Sequence, residues 1–330
     1  MSKMNLKKVS VSLLIVMILS LTIGSAFFFL SGGFTLNNAF NAVLGGTTYD
    51  VEEEILFSLE ELVDLNINSV STKINFINTE DTVGRVHYHG TITTNNEKSI
   101  PTLKVSESNT TVNIAFEYPK SITNTVTRNN TVLDIYLPTS YMGNLDVSTI
   151  SGSVSIMDYH FNNFSFKSTS GNLTAYNIEA TDINYYTTSG RFKTSVICDS
   201  IYFRSVSGRI EISNIKSNST EISTTSGNAT LSGNPGKLNF SSVSGNLHGT
   251  IETFNNNIVI KTTSGKTNLK LPASSEFDLD FSTVSGKFNN QFSMVYRTQG
   301  KRQMSGVIGN NPSNLSIKAN SVSGNLDITY

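Results

Sequence analysis

"SSVSGNLHG", residues 241–249, contains the dipeptide that organises this chain. Ser-Gly, usually behind a small or β-branched residue, recurs with its glycine at 152, 171, 190, 208, 227, 245, 265, 286, 306 and 324. Successive glycines lie 18 to 21 residues apart. A period of that length marks stacked repeats rather than a catalytic serine, which a protein needs once. The ninth copy, "QMSGVI" around Gly306, lacks the apolar alternation that precedes the others.

Counting from each glycine defines the unit. Seven and five residues before it stand pairs such as Phe164/Phe166, Ile201/Phe203 and Leu238/Phe240, and two and four after it pairs such as Leu173/Ala175 and Ile210/Ile212. Each unit is therefore an alternating strand, a Ser-Gly corner and a second alternating strand. The apolar parity changes across the corner, so the backbone must turn or bulge there, and glycine suits such a bend. Gly152, Gly171, Gly190, Gly208, Gly227, Gly245, Gly265, Gly286 and Gly324 are the predicted structural turns. Three residues before these glycines parity asks for inward side chains, yet Thr149, Ser168, Thr187, Ser205, Thr224, Ser242, Thr262, Thr283 and Ser321 stand there. Small hydroxyls stacked from unit to unit predict a hydrogen-bonded ladder. The expected fold is all-β, a single-chain parallel β-helix (β-solenoid) with about 18–21 residues per coil. An antiparallel meander is the competing topology; identical side chains stack in register only when coils run parallel.

Composition agrees. Of 330 residues only 15% are charged, Trp is absent and Pro is scarce at 6. Abundant Ser, Thr, Asn and β-branched residues favour strands and turns. Cys198 is the single cysteine, which excludes an intrachain disulfide and a thiolate metal cluster.

The start of the chain differs. Lys3, Lys7 and Lys8 precede an uncharged run over residues 9–30, "VSVSLLIVMILSLTIGSAFFFL". Twenty-two residues of helix span roughly 33 Å, enough for a bilayer core. We read residues 1–30 as an uncleaved signal-anchor transmembrane helix, with a cleaved secretory signal ending near Gly24–Ala26 as the rival. The lysines put the N-terminus in the cytoplasm and everything after residue 30 outside, a single-pass cell-membrane protein with an extracellular C-terminal domain.

Residues 31–64 read as a linker, whose "VEEEILFSLEELVD" (51–64) fits an amphipathic helix with Ile55, Leu59, Leu62 and Val63 on one face. Residues 65–143 alternate without the Ser-Gly repeat, a non-repetitive β region leading into the repeat solenoid of residues 144–330. Charge shifts at this boundary: residues 9–143 hold 6 basic and 13 acidic side chains, residues 144–330 hold 15 and 12.

"LDIYLPTSYMGNLDVSTISGSVSI" (133–156), "LPASSEFDLDFSTVSGKF" (271–288) and "IGNNPSNLSIKANSVSGNLDI" (308–328) resemble the bacterial putative-adhesin family of β-strand-repeat cell-envelope proteins, a domain of unknown function. Leu-Pro, a short spacer, then an alternating strand into Val/Thr-Ser-Gly occurs in the family's order, and the likeness covers roughly residues 50–330. It implies a non-enzymatic, surface-exposed β-solenoid, in some members tied to adhesion or envelope stress, with no catalytic residues to transfer. The segment "SMVYRTQGKRQM" (293–304) departs from the pattern.

The sequence carries few marks of catalytic or ligand chemistry. No nucleophile elbow, dinucleotide fingerprint or phosphate-binding lysine loop occurs, so no catalytic residue, cofactor or nucleic-acid partner is assigned. His87 and His89 in "RVHYHG" share one strand face, but no carboxylate or further histidine stands nearby in sequence; they are read as exposed polar groups and no metal is assigned. One pattern survives. Four before and one after each glycine, where side chains point outward beside the corner, stand Lys167, Arg191, Arg204, Arg209, Lys261, Lys266, Lys287 and Arg302, with no acidic residue at any such position. Stacked coils would align them into a basic ridge interleaved with Asn172, Asn228, Asn246 and Asn325. Closely spaced cations repel, so the column needs counter-ions or an anionic partner such as envelope polymers or lipid headgroups. The plainer reading is charge that discourages sheet-to-sheet aggregation. The expectation is thus a membrane-anchored, non-catalytic binding or display protein, adhesin-like or stress-associated. The alternative is a polysaccharide-active β-helix enzyme of the cell wall, for which only Asp278 and Asp280 stand close together.

Overall fold

Alternation of apolar and polar residues dominates from residue 46 onward, and strands dominate the structure accordingly. The computed structural model describes residues 46–119, 126–310 and 314–330. The expected signal-anchor (1–30) and residues 31–45 of the expected linker lie outside the described residues. Among those described, no helix is long and apolar enough to cross a membrane.

Seven strands come first: β1 (Thr47–Ser58), β2 (Asp64–Ser69), β3 (Lys73–Thr79), β4 (Val83–Thr94), β5 (Thr102–Ser108), β6 (Thr111–Glu117) and β7 (Val126–Pro138). They lead into β8 (Asn144–Thr149) and four long strands, β9 (Val154–Ser168), β10 (Leu173–Thr187), β11 (Arg191–Ser205) and β12 (Arg209–Thr224). Shorter strands continue the path: β13 (Ala229–Asn234), β14 (Lys237–Ser242), β15 (Leu247–Ile251), β16 (Ile258–Thr262) and β17 (Thr267–Lys270). The last six are β18 (Phe277–Ser282), β19 (Phe288–Asn290), β20 (Met294–Gln299), β21 (Gln303–Ile308), β22 (Ser316–Ser321) and β23 (Leu326–Thr329).

Two compact units result. Among the described residues, the smaller takes 46–50, Thr91–Thr102, 117–119 and 126–129; the larger takes Val51–Gly90, Leu103–Phe116, 130–310 and 314–330. In the smaller, the Thr48 and Thr93 hydroxyls meet at 2.9 Å and a 3-10 turn, Glu97–Ser99, is capped by Asn96.

The larger unit is the solenoid. Its coils pair in parallel, which decides against the meander: Phe166 stands beside Tyr185, Tyr185 beside Phe203, Phe203 beside Ile222, and Phe240 beside Ile260. Identical positions therefore stack into columns, with the Phe166 and Tyr185 rings 5.4 Å apart and nearly parallel. The coils of β9, β10 and β12 have two bends. One is the Ser-Gly corner; the other lies within the long strands, where Asp158, Asn177 and Asn214 adopt φ of 61°, 52° and 52°. Asp and Asn tolerate this left-handed conformation better than other non-glycine residues.

Three differences from the sequence reading emerge. Residues 51–58 belong to strand β1 instead of an amphipathic helix: Val51 and Phe57 are buried on one parity while Glu52 and Glu54 point out. The acidic run fits either period, and a strand partner, β4, decides it. Second, the stacked coils begin before residue 144, since β2 and β3 pair with β8 and β9. The coil of β2 and β3 turns through Val70–Thr72 without Ser-Gly, which is why periodicity misses it. Third, coils do not stack strictly in chain order. β22 and β23 lie between β16/β17 and β18/β19. The coil of residues 277–290 is thus one level farther out than its place in the sequence suggests.

Candidate anion-binding edge

The Ser-Gly corner explains its own composition. At six corners the hydroxyl three residues before the glycine accepts that glycine's N–H, among them Thr149 from Gly152 at 2.9 Å, Thr187 from Gly190 at 2.9 Å, Thr224 from Gly227 at 2.8 Å and Ser321 from Gly324 at 2.6 Å, while Ser168 donates to the Gly171 carbonyl at 3.1 Å. Neighbouring coils connect through the same groups, with Ser168 to Thr187 at 2.9 Å, Ser205 to Thr224 at 3.2 Å and Thr262 to Ser321 at 3.1 Å. Buried donors and acceptors are satisfied in a corner too narrow for a large apolar side chain. Glycine is demanded by clearance and not by a positive φ. A Cβ at Gly171, Gly190, Gly208, Gly227, Gly245 or Gly265 would collide with the carbonyl oxygen of the preceding corner glycine, at Gly324 with that of Gly265, and at Gly286 with that of Gly324; at Gly152 the obstacle is the Thr72 carbonyl.

Beside this corner the cations form two rows, one on each strand flank. On the flank after the glycine Arg191 pairs in register with Arg209, and Lys266 and Lys287 continue the row. The asparagines between them act on the backbone: Asn172 Oδ1 accepts the Arg191 N–H at 2.9 Å, Asn246 Oδ1 the Lys266 N–H at 2.8 Å, and Asn325 Oδ1 the Lys287 N–H at 2.9 Å. On the other flank Lys167 stands beside Tyr186 and Tyr186 beside Arg204, with Lys261 three coils further along. All these cations are exposed.

Acidic neighbours answer part of the charge. Lys167 meets Asp146 at 2.8 Å, Lys266 meets Asp327 at 2.7 Å and Arg209 approaches Glu211 at 3.8 Å. Arg204 lies over the ring of Tyr202, 5.4 Å from its centroid. Arg191, Lys261, Lys287 and Arg302 have no carboxylate within 4.0 Å among the described residues.

Arg302 is not at a corner. Its Ser-Gly, Ser305-Gly306, lies inside β21, an antiparallel strand between β18 and β20. The β20–β21 hairpin, closed by the Gly300 N–H on the Gln303 carbonyl at 2.9 Å, carries Lys301 and Arg302 beside the Gly286 corner. There Lys287, Lys301 and Arg302 line one pocket of about 570 Å³ together with Phe281, Phe288 and Met304, and no carboxylate lines it. Lys301 carried no signal in the repeat count, because only the hairpin brings it to the corner.

A family profile for the Toastrack DUF4097 domain matches residues 63–329. The chain belongs to this family. The Toastrack region covers every strand from β2 to β23. No curated protein matches the chain. Solved structures that match the chain include a putative adhesin from Bacteroides fragilis, 13% identical, covering 85% of this chain and 97% of that one at a TM-score of 0.46. Another is a putative adhesin from Parabacteroides merdae, 10% identical, covering 86% and 98% at a TM-score of 0.44. A third is a putative cell adhesion protein from Clostridium sporogenes, 12% identical, covering 85% and 99% at a TM-score of 0.26.

Elsewhere in the Toastrack region the carboxylates are occupied or scattered. Asp278 holds Arg297 at 2.7 Å, while Asp280, two residues along the same strand, is exposed. A groove of about 480 Å³ along the second bend is lined by Glu179, Asp199, Lys216 and His160, with His160 3.3 Å from Glu179. Cys198 borders it but is buried, and burial with Asp199 and Asp182 nearby pushes its thiol up to about 12. A thiol held protonated is a poor nucleophile.

Proposed function

We propose that this protein is a non-catalytic binding and display protein of the bacterial envelope, adhesin-like, held at the membrane by residues 9–30 with its solenoid outside the cell. Its ligands are anionic phosphodiester groups, in wall polymers or lipid headgroups. One observation carries the reading: Lys287, Lys301 and Arg302 converge on a pocket that no carboxylate lines. Three cations without a carboxylate partner beside aromatic and methionine side chains suit a polymer with anionic links and apolar or sugar faces. The unpaired cations Arg191 and Lys261 lie beside other corners of the same stack and extend a weaker field along it.

The test is retention of the full-length chain on teichoic-acid-bearing walls and on anionic liposomes, at low and high salt. Replacing Lys287, Lys301 and Arg302 together with Ser should abolish salt-sensitive retention, and comparing the two matrices identifies the source of the phosphodiester. Unchanged retention overturns the site. Turnover of wall polysaccharide by the purified protein would overturn the non-catalytic reading.

A further inference from the structure

β4 carries Arg85, His87 and His89 outward at every second position, and the sheet lays β1 and β7 on its two sides. His87 Nε2 lies 2.7 Å from Glu52 Oε1 on β1, and His89 Nε2 lies 2.9 Å from Asp134 Oδ2 on β7. The two imidazoles stack, with centroids 4.4 Å apart and planes 24° from parallel. Ligand-capable atoms of His87, His89 and Asp134 all fall within 4.8 Å of one another. The carboxylates that sequence proximity did not show are supplied by strands 35 and 45 residues away. We propose that His87, His89, Asp134 and Glu52 form a binding site for a divalent transition-metal ion, Zn²⁺ being the best fit.

The donor set argues for the ion class. Two imidazole nitrogens with two carboxylate oxygens suit zinc and its first-row neighbours and are poor for Ca²⁺ or Mg²⁺, which take oxygen-only sets. Tetrahedral zinc, with bonds of about 2.0–2.2 Å, holds its ligand atoms roughly 3.3–3.6 Å apart. The His87–Glu52 and His89–Asp134 contacts need open by less than about 1 Å to admit it, the ion replacing the protons that now bridge them. Glu52 has a side chain 75% exposed and is free to swing in as the fourth donor.

The supporting groups are in place. Asn75 Nδ2 on β3 donates to Asp134 Oδ1 at 2.7 Å, fixing the carboxylate and leaving Oδ2 directed at His89. Such orientation by a neighbouring amide is typical of metal sites. Arg85, two residues before His87 on the same strand, is held aside: it pairs with Glu54 at 3.0 Å and stacks on Tyr136, 3.5 Å from its centroid. The donors sit on the paired strands β1, β4 and β7, which fixes where their backbones lie. The ion would pin β1, β4 and β7 together.

The experiment is Zn²⁺ titration of the untagged full-length chain by calorimetry, with the visible spectrum of the Co²⁺ form as readout of geometry. We expect one ion per chain, a tetrahedral Co²⁺ spectrum, and an affinity loss of at least about tenfold in both His87→Gln and Asp134→Asn. His160→Gln, a histidine elsewhere, should bind as the parent does, and circular dichroism checks that each variant is folded. Folded variants that bind as tightly as the parent overturn the site, as does a parent that takes up no ion or gives an octahedral spectrum. A fall seen equally in His160→Gln would also overturn it, as adventitious histidine binding.

Discussion

The carbonyl oxygen of Gly245 occupies the space that a Cβ on Gly265 would need. Coils approach so closely at the corner that hydrogen alone fits between them. Gly265→Ala should therefore lower stability by about 1–3 kcal/mol, the cost of forcing extra volume into a packed site. Gly300→Ala, whose Cβ would press only on the Gln303 carbonyl at 3.3 Å, should cost less than Gly265→Ala. Urea midpoints of the two variants decide between clearance and a general need for glycine.

Thr224 serves two coils at once, accepting from the Gly227 N–H at 2.8 Å and meeting Ser205 at 3.2 Å. Thr224→Val keeps the shape and orphans both partners, so a loss of about 1–3 kcal/mol is expected. Thr224→Ser should retain most of the stability. Hydrogen exchange at the Gly227 amide should accelerate in the valine variant alone.

Ile317, fully buried, stands between Ile258 and Leu279 in the inserted coil. Ile317→Ala should cost about 2–5 kcal/mol. Limited proteolysis within residues 277–308 should rise with it, because that segment is attached to the rest of the stack through the inserted coil. Val295→Ala, at a residue 71% exposed, should alter neither measurement, with a change below about 0.5 kcal/mol.

Alkaline pH should loosen the core. Burial pushes the Cys198 thiol from its ordinary 9.0 up to about 12. The unfolded chain therefore loses that proton first, and stability present below pH 9.0 falls as pH rises toward 12. Burial raises Tyr141, Tyr159 and Tyr185 above their ordinary 10.0 as well, which extends the loss beyond pH 10. Cys198→Ala should flatten the first part of the decline in thermal unfolding followed against pH. In the folded parent at pH 8, iodoacetamide should label Cys198 far more slowly than in urea.

The repeat was legible in the sequence because one code is written many times: inward positions, corner hydroxyl and glycine occur at fixed offsets. The same uniformity hid the order of the last coils, since any coil of this code can stack on any other. The second bend was also within reach, as Asp158, Asn177, Asn214 and Gly233 all lie six residues after a corner glycine. Charge was harder. Asp146 and Asp327, which meet Lys167 and Lys266, lie on other coils, and only strand register brings them across. His87 and His89 looked solitary for the same reason, their partners arriving from β1 and β7.

The inserted coil sets a timing problem for a chain that emerges from its N-terminus. Residues 277–290 appear before residues 316–329, yet must finish one level beyond them. Their pattern lets them settle directly on β16 and β17, in the slot that belongs to the later coil. A chain that settles early must release that pairing before it can mature, so refolding should show a slow phase that grows as the coil of residues 277–290 is made stickier and vanishes when residues 277–308 are excised and the neighbours joined.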